Sequence, residues 1–256
     1  MNKIYIESLD PRIVEVSTLA VILISIFASL AFYAKANSSP QNDRFLAEIR
    51  RKVFHLIGLS VPASFYTNLK KNFISLDILK IGLFFWFIGS FLGEVLRLKS
   101  AVFGPIINSL FSMFLRPEEA HKASGMVPYA AACFIVIAFT PPVFAICGLI
   151  ALVVGDMMGA LIGVRFGSIK IFRKKSLQGT MACASSIAIF NYFFLRLATD
   201  ISYSNSIILT SIGAIVGASL ELFAELLVDD NLLIPCGTSF AMLISSKLLG
   251  FDVNLL

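Results

Sequence analysis

Asp156 closes a run of thirteen uncharged residues, Val143 to Gly155. A carboxylate at such depth in an apolar segment is costly to leave alone, so it calls for a cation or a metal as partner. Gly155, Gly159 and Gly163 recur every four residues around it and share one helix face. That face serves close helix packing, or lets a nucleotide or lipid headgroup approach the backbone. Lys174-Lys175-Ser176 and Gly179 follow, offering an ammonium, a hydroxyl and the free amides of a helix start. These are the parts that hold phosphate oxygens. They do not form a P-loop, because the GxxxxGK[ST] order and its preceding strand are missing.

Three further elements carry charge. Glu221, Glu225 and Asp229 step by four along one helix face and lead into Asp230-Asn231. Stacked acids repel unless cations lie among them, and hard oxygen ligands of this type suit Mg²⁺, usually shared with phosphates and water. Arg50-Arg51-Lys52 precedes His55, and His55 lies one turn beyond Arg51 on the same helix face. Arg116 to Gly125, with Glu118, Glu119, His121 and Lys122, stands just before an apolar run whose first amides could hold an anion.

The elements that must position these groups are membrane spans. Hydrophobic residues make up 57% of the chain and charged ones 14%, too apolar a balance for a water-facing fold. The expected architecture is all-α: a polytopic helical membrane protein with seven or eight transmembrane helices. The spans are placed near 13–34, 53–67, 74–96, 126–140, 143–164, 180–198, 206–228 and 232–250. The second and fourth are short. The stretch 101–115 is too short to cross and reads as an interfacial or re-entrant helix, and Pro141-Pro142 marks a turn. Cys133, Cys147, Cys183 and Cys236 all fall in apolar stretches without metal-ligand spacing and read as small helix-interior residues. Loops 35–52, 97–125 and 165–178 hold fourteen Lys and Arg against six on the opposite side, which places the chemically interesting loops in the cytoplasm. The net charge of +5 thus reports orientation and not a nucleic-acid partner. A single integral membrane domain is expected over 1–256, with a first span and linker over 1–47 and a catalytic core over 48–250.

In this order the four elements resemble the membrane lipid kinase family that includes dolichol kinase, phytol kinase and CTP-dependent diacylglycerol kinase. The matching residues are Arg51-Lys52 with His55, Gly155-Asp156, Gly163, Gly167, Lys175-Ser176-Leu177-Gln178-Gly179, Glu221, and Asp230-Asn231 with Pro235. The likeness runs over roughly residues 48 to 240. Gln178 stands where the family has Glu, and Gly159 where Ala is usual. More distantly, the GD…KS region is similar to phosphatidate cytidylyltransferases, whose long C-terminal signature is missing here.

The resemblance implies a kinase-like core that transfers the γ-phosphate of CTP to the hydroxyl of a membrane lipid alcohol. That alcohol would be a polyprenol, a phytol-like isoprenoid alcohol or diacylglycerol. It implies Mg²⁺ on Asp156 and Asp230 with Glu221 assisting. Arg51, Lys52 and Lys175 would neutralise phosphates, and Ser176 and Gly179 would cradle them. Gly155, Gly163 and Asn231 complete the expected phosphate-binding set. His55 would take the hydroxyl proton or orient a phosphate, and Asp156 could itself be that base. The other readings are CDP-lipid synthesis by a cytidylyltransferase, and a transporter whose polar residues line a path.

Overall fold

The structure is a computed structural model that describes residues 45, 46, 48, 49, 52, 56, 58–111, 123–227, 229–250 and 253. The chain divides into two units, Met1–Arg50 and Arg51–Leu256, and the elements below belong to the second. The expected first span 13–34, Arg51, His55 and His121 lie outside the described residues.

Helix α1 (Ser60–Lys71) ends on Asn72, whose left-handed φ of 52° turns the chain. Asn68 pins that turn, its amide donating to Ile74 O (2.9 Å) and its Oδ1 accepting from Ile74 N (2.9 Å). Helix α2 (Leu76–Lys99) starts on a Ser75 cap and presents Phe84, Phe85, Trp86 and Phe91 outward. A helix of this length spans about 36 Å at 1.5 Å per residue, enough to cross a bilayer. Helix α3 (Phe103–Phe111) is short and apolar, in the place where an interfacial segment was expected. Helix α4 (Met126–Phe139) stops at Thr140, which takes up extended backbone before Pro141.

The central element is the run Pro142 to Phe166. It comprises α5 (Pro142–Ile150), a π-helical turn (Ala151–Gly155) and α6 (Asp156–Phe166). Pro142 suits the first helical position because its missing N–H has no partner there. A hairpin of β1 (Lys170–Phe172) and β2 (Lys175–Ser176) follows, with Arg173 in the left-handed region at φ 45°. Then come α7 (Leu177–Ala198), α8 (Tyr203–Leu227) and α9 (Asp230–Leu248). Helices α7, α8 and α9 pack in sequence around the α5–α6 rod, and α4 joins α2 to α9. The core is apolar: Phe144, Cys147, Leu195, Leu209 and Met242 form one cluster, and Leu152, Cys183, Ile187 and Ile234 another.

Among the described residues, four elements are long and apolar enough to cross a membrane: α2, the α5–α6 rod, α7 and α8 as far as Ala224. The chain is therefore an all-α membrane protein, apart from one short hairpin. Several expected spans do not reach that standard among the described residues. The span expected at 53–67 appears as α1, only 12 residues long and displaced toward the C-terminus. Gly58 and Leu59 form a turn just before it, with Leu59 N donating to Leu56 O (3.0 Å). Helix α4 has 14 residues. Helix α9 has the length, but Thr238, Ser239, Ser245, Ser246 and Lys247 keep it polar.

Polar groups inside the bundle are mostly satisfied locally. Thr140, Thr199 and Thr210 donate back to their own helices, and Ser239 Oγ donates to Phe144 O (2.8 Å) across the α5–α9 contact. Asn191, between Ile187 and Leu195 on one face of α7, differs: it is fully buried, and neither Nδ2 nor Oδ1 has a partner among the described residues. An unpaired buried amide costs about 1–3 kcal/mol. Asn191→Leu, of similar size, is accordingly expected to stabilise the protein by about that amount, read as a raised unfolding midpoint in detergent. An unchanged or lowered midpoint would show that the amide is satisfied.

Candidate active site

Asp156 is the first residue of α6, immediately after the π-helical turn. A π turn widens the helix by one residue and often marks a functional position; here it sets the rotation at which Asp156 leaves the rod. Asp156 is buried, and its partner is Lys52, fully buried and 104 positions away in sequence. The cation that the depth of Asp156 demanded is therefore one of the lysines expected to serve phosphates.

The second pair has the same form. Lys175, in β2, binds Glu221 on α8. Glu221 is buried, while the Lys175 side chain keeps 26% of its surface. Burial pushes the Lys175 ammonium down, but Glu221, then Asp156 and Asp230, outweigh it and hold its pKa above the usual lysine range. Three carboxylates from α6, α8 and α9 thus act on one ammonium. The sign of the linkage follows: a raised lysine pKa contributes stability that is complete below the unfolded-state value and lost as pH rises through the folded one. Wild-type stability is expected to fall as pH climbs past about 10.4, the ordinary lysine value. Glu221→Gln should flatten that alkaline decline in unfolding curves taken across pH, and an equally steep decline in the variant would contradict the pairing.

Ser176 and the glycines hold this arrangement close. Ser176 Oγ caps α7 by accepting from Gly179 N (3.2 Å). A Cβ on Gly179 would lie 2.8 Å from Gly159 O and 3.1 Å from Gly163 Cα, and one on Gly155 would lie 2.7 Å from Ile187. Of the two uses open to the glycine face, helix packing is thus occupied: α6 and α7 meet backbone to backbone. Gly163 and Gly179 also lie against Ser176 of β2, and Gly155 lies against Ile187 and Cys183 of α7. Gln178, at the position of the family Glu, turns away to the hairpin, donating to Ser168 Oγ (2.6 Å) and accepting from Ile169 N (3.2 Å).

At the start of α9, Asp229 caps the helix through Asn231 N (2.9 Å), and Asp230 Oδ1 accepts from the same amide (3.1 Å). The Asn231 side chain lies over Gly125, where a Cβ would come within 2.4 Å of its Nδ2. Helix α4 therefore closes against the acidic end of α9. The side chain of Glu225 lies outside the described residues.

A further set escaped the sequence reading. Arg97, buried near the end of α2, donates to Glu94 through Nε (2.9 Å) and Nη2 (2.7 Å) and to Asn108 through Nη1 (2.9 Å). Glu94 Oε1 also accepts from Ser124 N (2.5 Å). These bonds join α2, α3 and the lead-in to α4, one residue before Gly125. The available signal was Glu94 itself, an acid within a predicted span three residues before an arginine.

Among the described residues, no group of three or more His, Cys, Asp or Glu is arranged to hold a metal by protein ligands alone. Mg²⁺ usually takes only one or two carboxylates and completes its shell with phosphate oxygens and water. Asp156, Glu221 and Asp230, whose charges all act on Lys175, supply carboxylates of that kind. The Thr180 hydroxyl, one turn into α7, is buried without a partner among the described residues. The residues present fit a cation shared with a phosphate.

The fold and site thus define a helical membrane protein with paired lysines and carboxylates at one place in its bundle. No family model matches the chain, and no solved structure matches it. An uncharacterised protein of Rickettsia prowazekii is 26% identical over 202 residues, covering 76% of this chain and 93% of the relative. CTP-dependent diacylglycerol kinase 1 of Schizosaccharomyces pombe is 26% identical over 169 residues, covering 62% of this chain and 76% of the relative.

Proposed function

We propose that this protein is a lipid kinase that moves the γ-phosphate of CTP to the hydroxyl of a membrane lipid alcohol. The observation that carries the reading is the gathering of Lys52–Asp156 and Lys175–Glu221 with Asp230, on five segments spread along the sequence. The similarity to the yeast CTP-dependent diacylglycerol kinase supports the donor and the class of acceptor. Phosphoryl transfer needs mainly positioning and charge neutralisation, and this site offers both.

In the proposed reaction the lipid hydroxyl oxygen bonds to the γ-phosphorus, the bond from that phosphorus to the β–γ bridging oxygen breaks, and CDP leaves. Lys52 and Lys175 bind the phosphate oxygens, with Arg51 as a third cation. Asp156 or His55 accepts the hydroxyl proton. Mg²⁺ would be held by Asp156 and Asp230, with Glu221 assisting, and would supply neutralising charge at the phosphates. Ser176, Gly155, Gly163 and Gly179 set the backbone that presents Lys175, and Asn231 seals the α4 side. The lipid tail stays among the spans, of which seven or eight are proposed, and the site faces the cytoplasm, in keeping with the basic loops.

The experiment is label transfer by purified protein with γ-labelled CTP or ATP, Mg²⁺ and a panel of polyprenol, phytol-like alcohol and diacylglycerol. Label in the organic phase is expected with CTP. With phosphatidate added to the panel, release of labelled pyrophosphate from CTP together with formation of a CDP-lipid would instead establish a cytidylyltransferase.

A further inference from the structure

Lys52 and Lys175 each occupy a carboxylate that the proposed function gives to Mg²⁺, and both carboxylates are buried. A divalent ion added to this site would find two of its three carboxylates, Asp156 and Glu221, already held by ammoniums. It would also lie against two ammoniums in surroundings that screen poorly. A polyphosphate reverses the balance, because its oxygens take the same two lysines and draw those ammoniums off Asp156 and Glu221. We propose that Lys52 and Lys175 are built-in counter-ions that exclude the divalent cation until a polyphosphate draws them away. The site then accepts cation and nucleotide as a unit. Lys52 is the stricter gate, since it is fully buried and has no solvent to receive its charge, whereas Lys175 is a quarter exposed. This inference rests on the lipid kinase reading for the identity of the polyphosphate, though not for the counter-ion role itself.

The test is Mn²⁺ binding, followed by the loss of the free-ion paramagnetic resonance signal, on the full chain in detergent without lipid. Wild type should bind Mn²⁺ weakly alone, and about tenfold or more tightly with a non-hydrolysable CTP analogue, after subtraction of the Mn²⁺ that the analogue takes up without protein. Lys52→Met should bind Mn²⁺ about tenfold or more tightly with no nucleotide present. The double variant Lys52→Met with Asp156→Asn should lose that gain. Unchanged Mn²⁺ affinity in folded Lys52→Met overturns the proposal, as does tight Mn²⁺ binding by nucleotide-free wild type. If the analogue has no effect on wild type while Lys52→Met still tightens Mn²⁺, the counter-ion role stands and the kinase reading falls. Should Lys52→Met fail to fold, Lys175→Met makes the same measurement at Glu221, with the same two outcomes.

Discussion

Asp156→Asn is expected to lower lipid phosphorylation about 10³-fold or more, the range lost when a group acting on the reacting centre is removed. The substitution also strips the fully buried Lys52 of its charge partner. Breaking a buried pair from one side costs about 3–5 kcal/mol, so the single variant should unfold at a clearly lower temperature. Activity and stability are therefore lost together, and the single variant alone does not separate them. Adding Lys52→Met removes the stranded ammonium, and the double variant should regain most of the stability but none of the activity. Label transfer and thermal unfolding on the two proteins make the comparison. Normal turnover in Asp156→Asn would take this carboxylate out of the chemistry.

Gly148→Ala should be among the most damaging single-methyl changes in the bundle. Its Cβ would stand 2.0 Å from Ser239 Oγ and 2.4 Å from Pro235 O, where α5 crosses α9. The hydroxyl could rotate, but the carbonyl belongs to helix backbone and moves only with α9. Overpacking of this kind reaches or exceeds the upper end of about 1–3 kcal/mol. Helix α9 carries Asp230 and Asn231 at its start and the α5–α6 rod carries Asp156, so the shift should separate these groups and lower activity as well. Gly82→Ala is the control: nothing lies within 4 Å of its added Cβ, and alanine in a helix interior is favoured over glycine by about 0.5–1 kcal/mol. Equal unfolding temperatures for the two variants would contradict the close α5–α9 contact.

The long helices were legible almost to the residue. Spans expected at 74–96, 143–164, 180–198 and 206–228 appear as Leu76–Lys99, Pro142–Phe166, Leu177–Ala198 and Tyr203–Leu227. Each is written locally, by an apolar run and by punctuation such as Ser75, Pro141-Pro142 and Ser176. The span at 53–67 was misplaced because hydropathy does not register the turn at Gly58-Leu59. The π-helical turn before Asp156 left no mark either, since Ala151 to Val154 are ordinary helix formers in an ordinary apolar run.

The sequence by itself determined that this is a helical membrane protein, where its long apolar helices run, and that Asp156 and Glu221 need cations. A bilayer acts on each segment through that segment's own composition, so one stretch of chain is enough to decide whether it is apolar enough to cross. Only the tertiary structure decided which lysine answers which acid, that the glycine face is filled by α7, and that Glu94 and Arg97 tie α2 to the α4 lead-in. Those outcomes depend on contacts between residues 46 and 104 positions apart for the two ion pairs. Charge and size show that a partner is required, and the packing of the helices selects it.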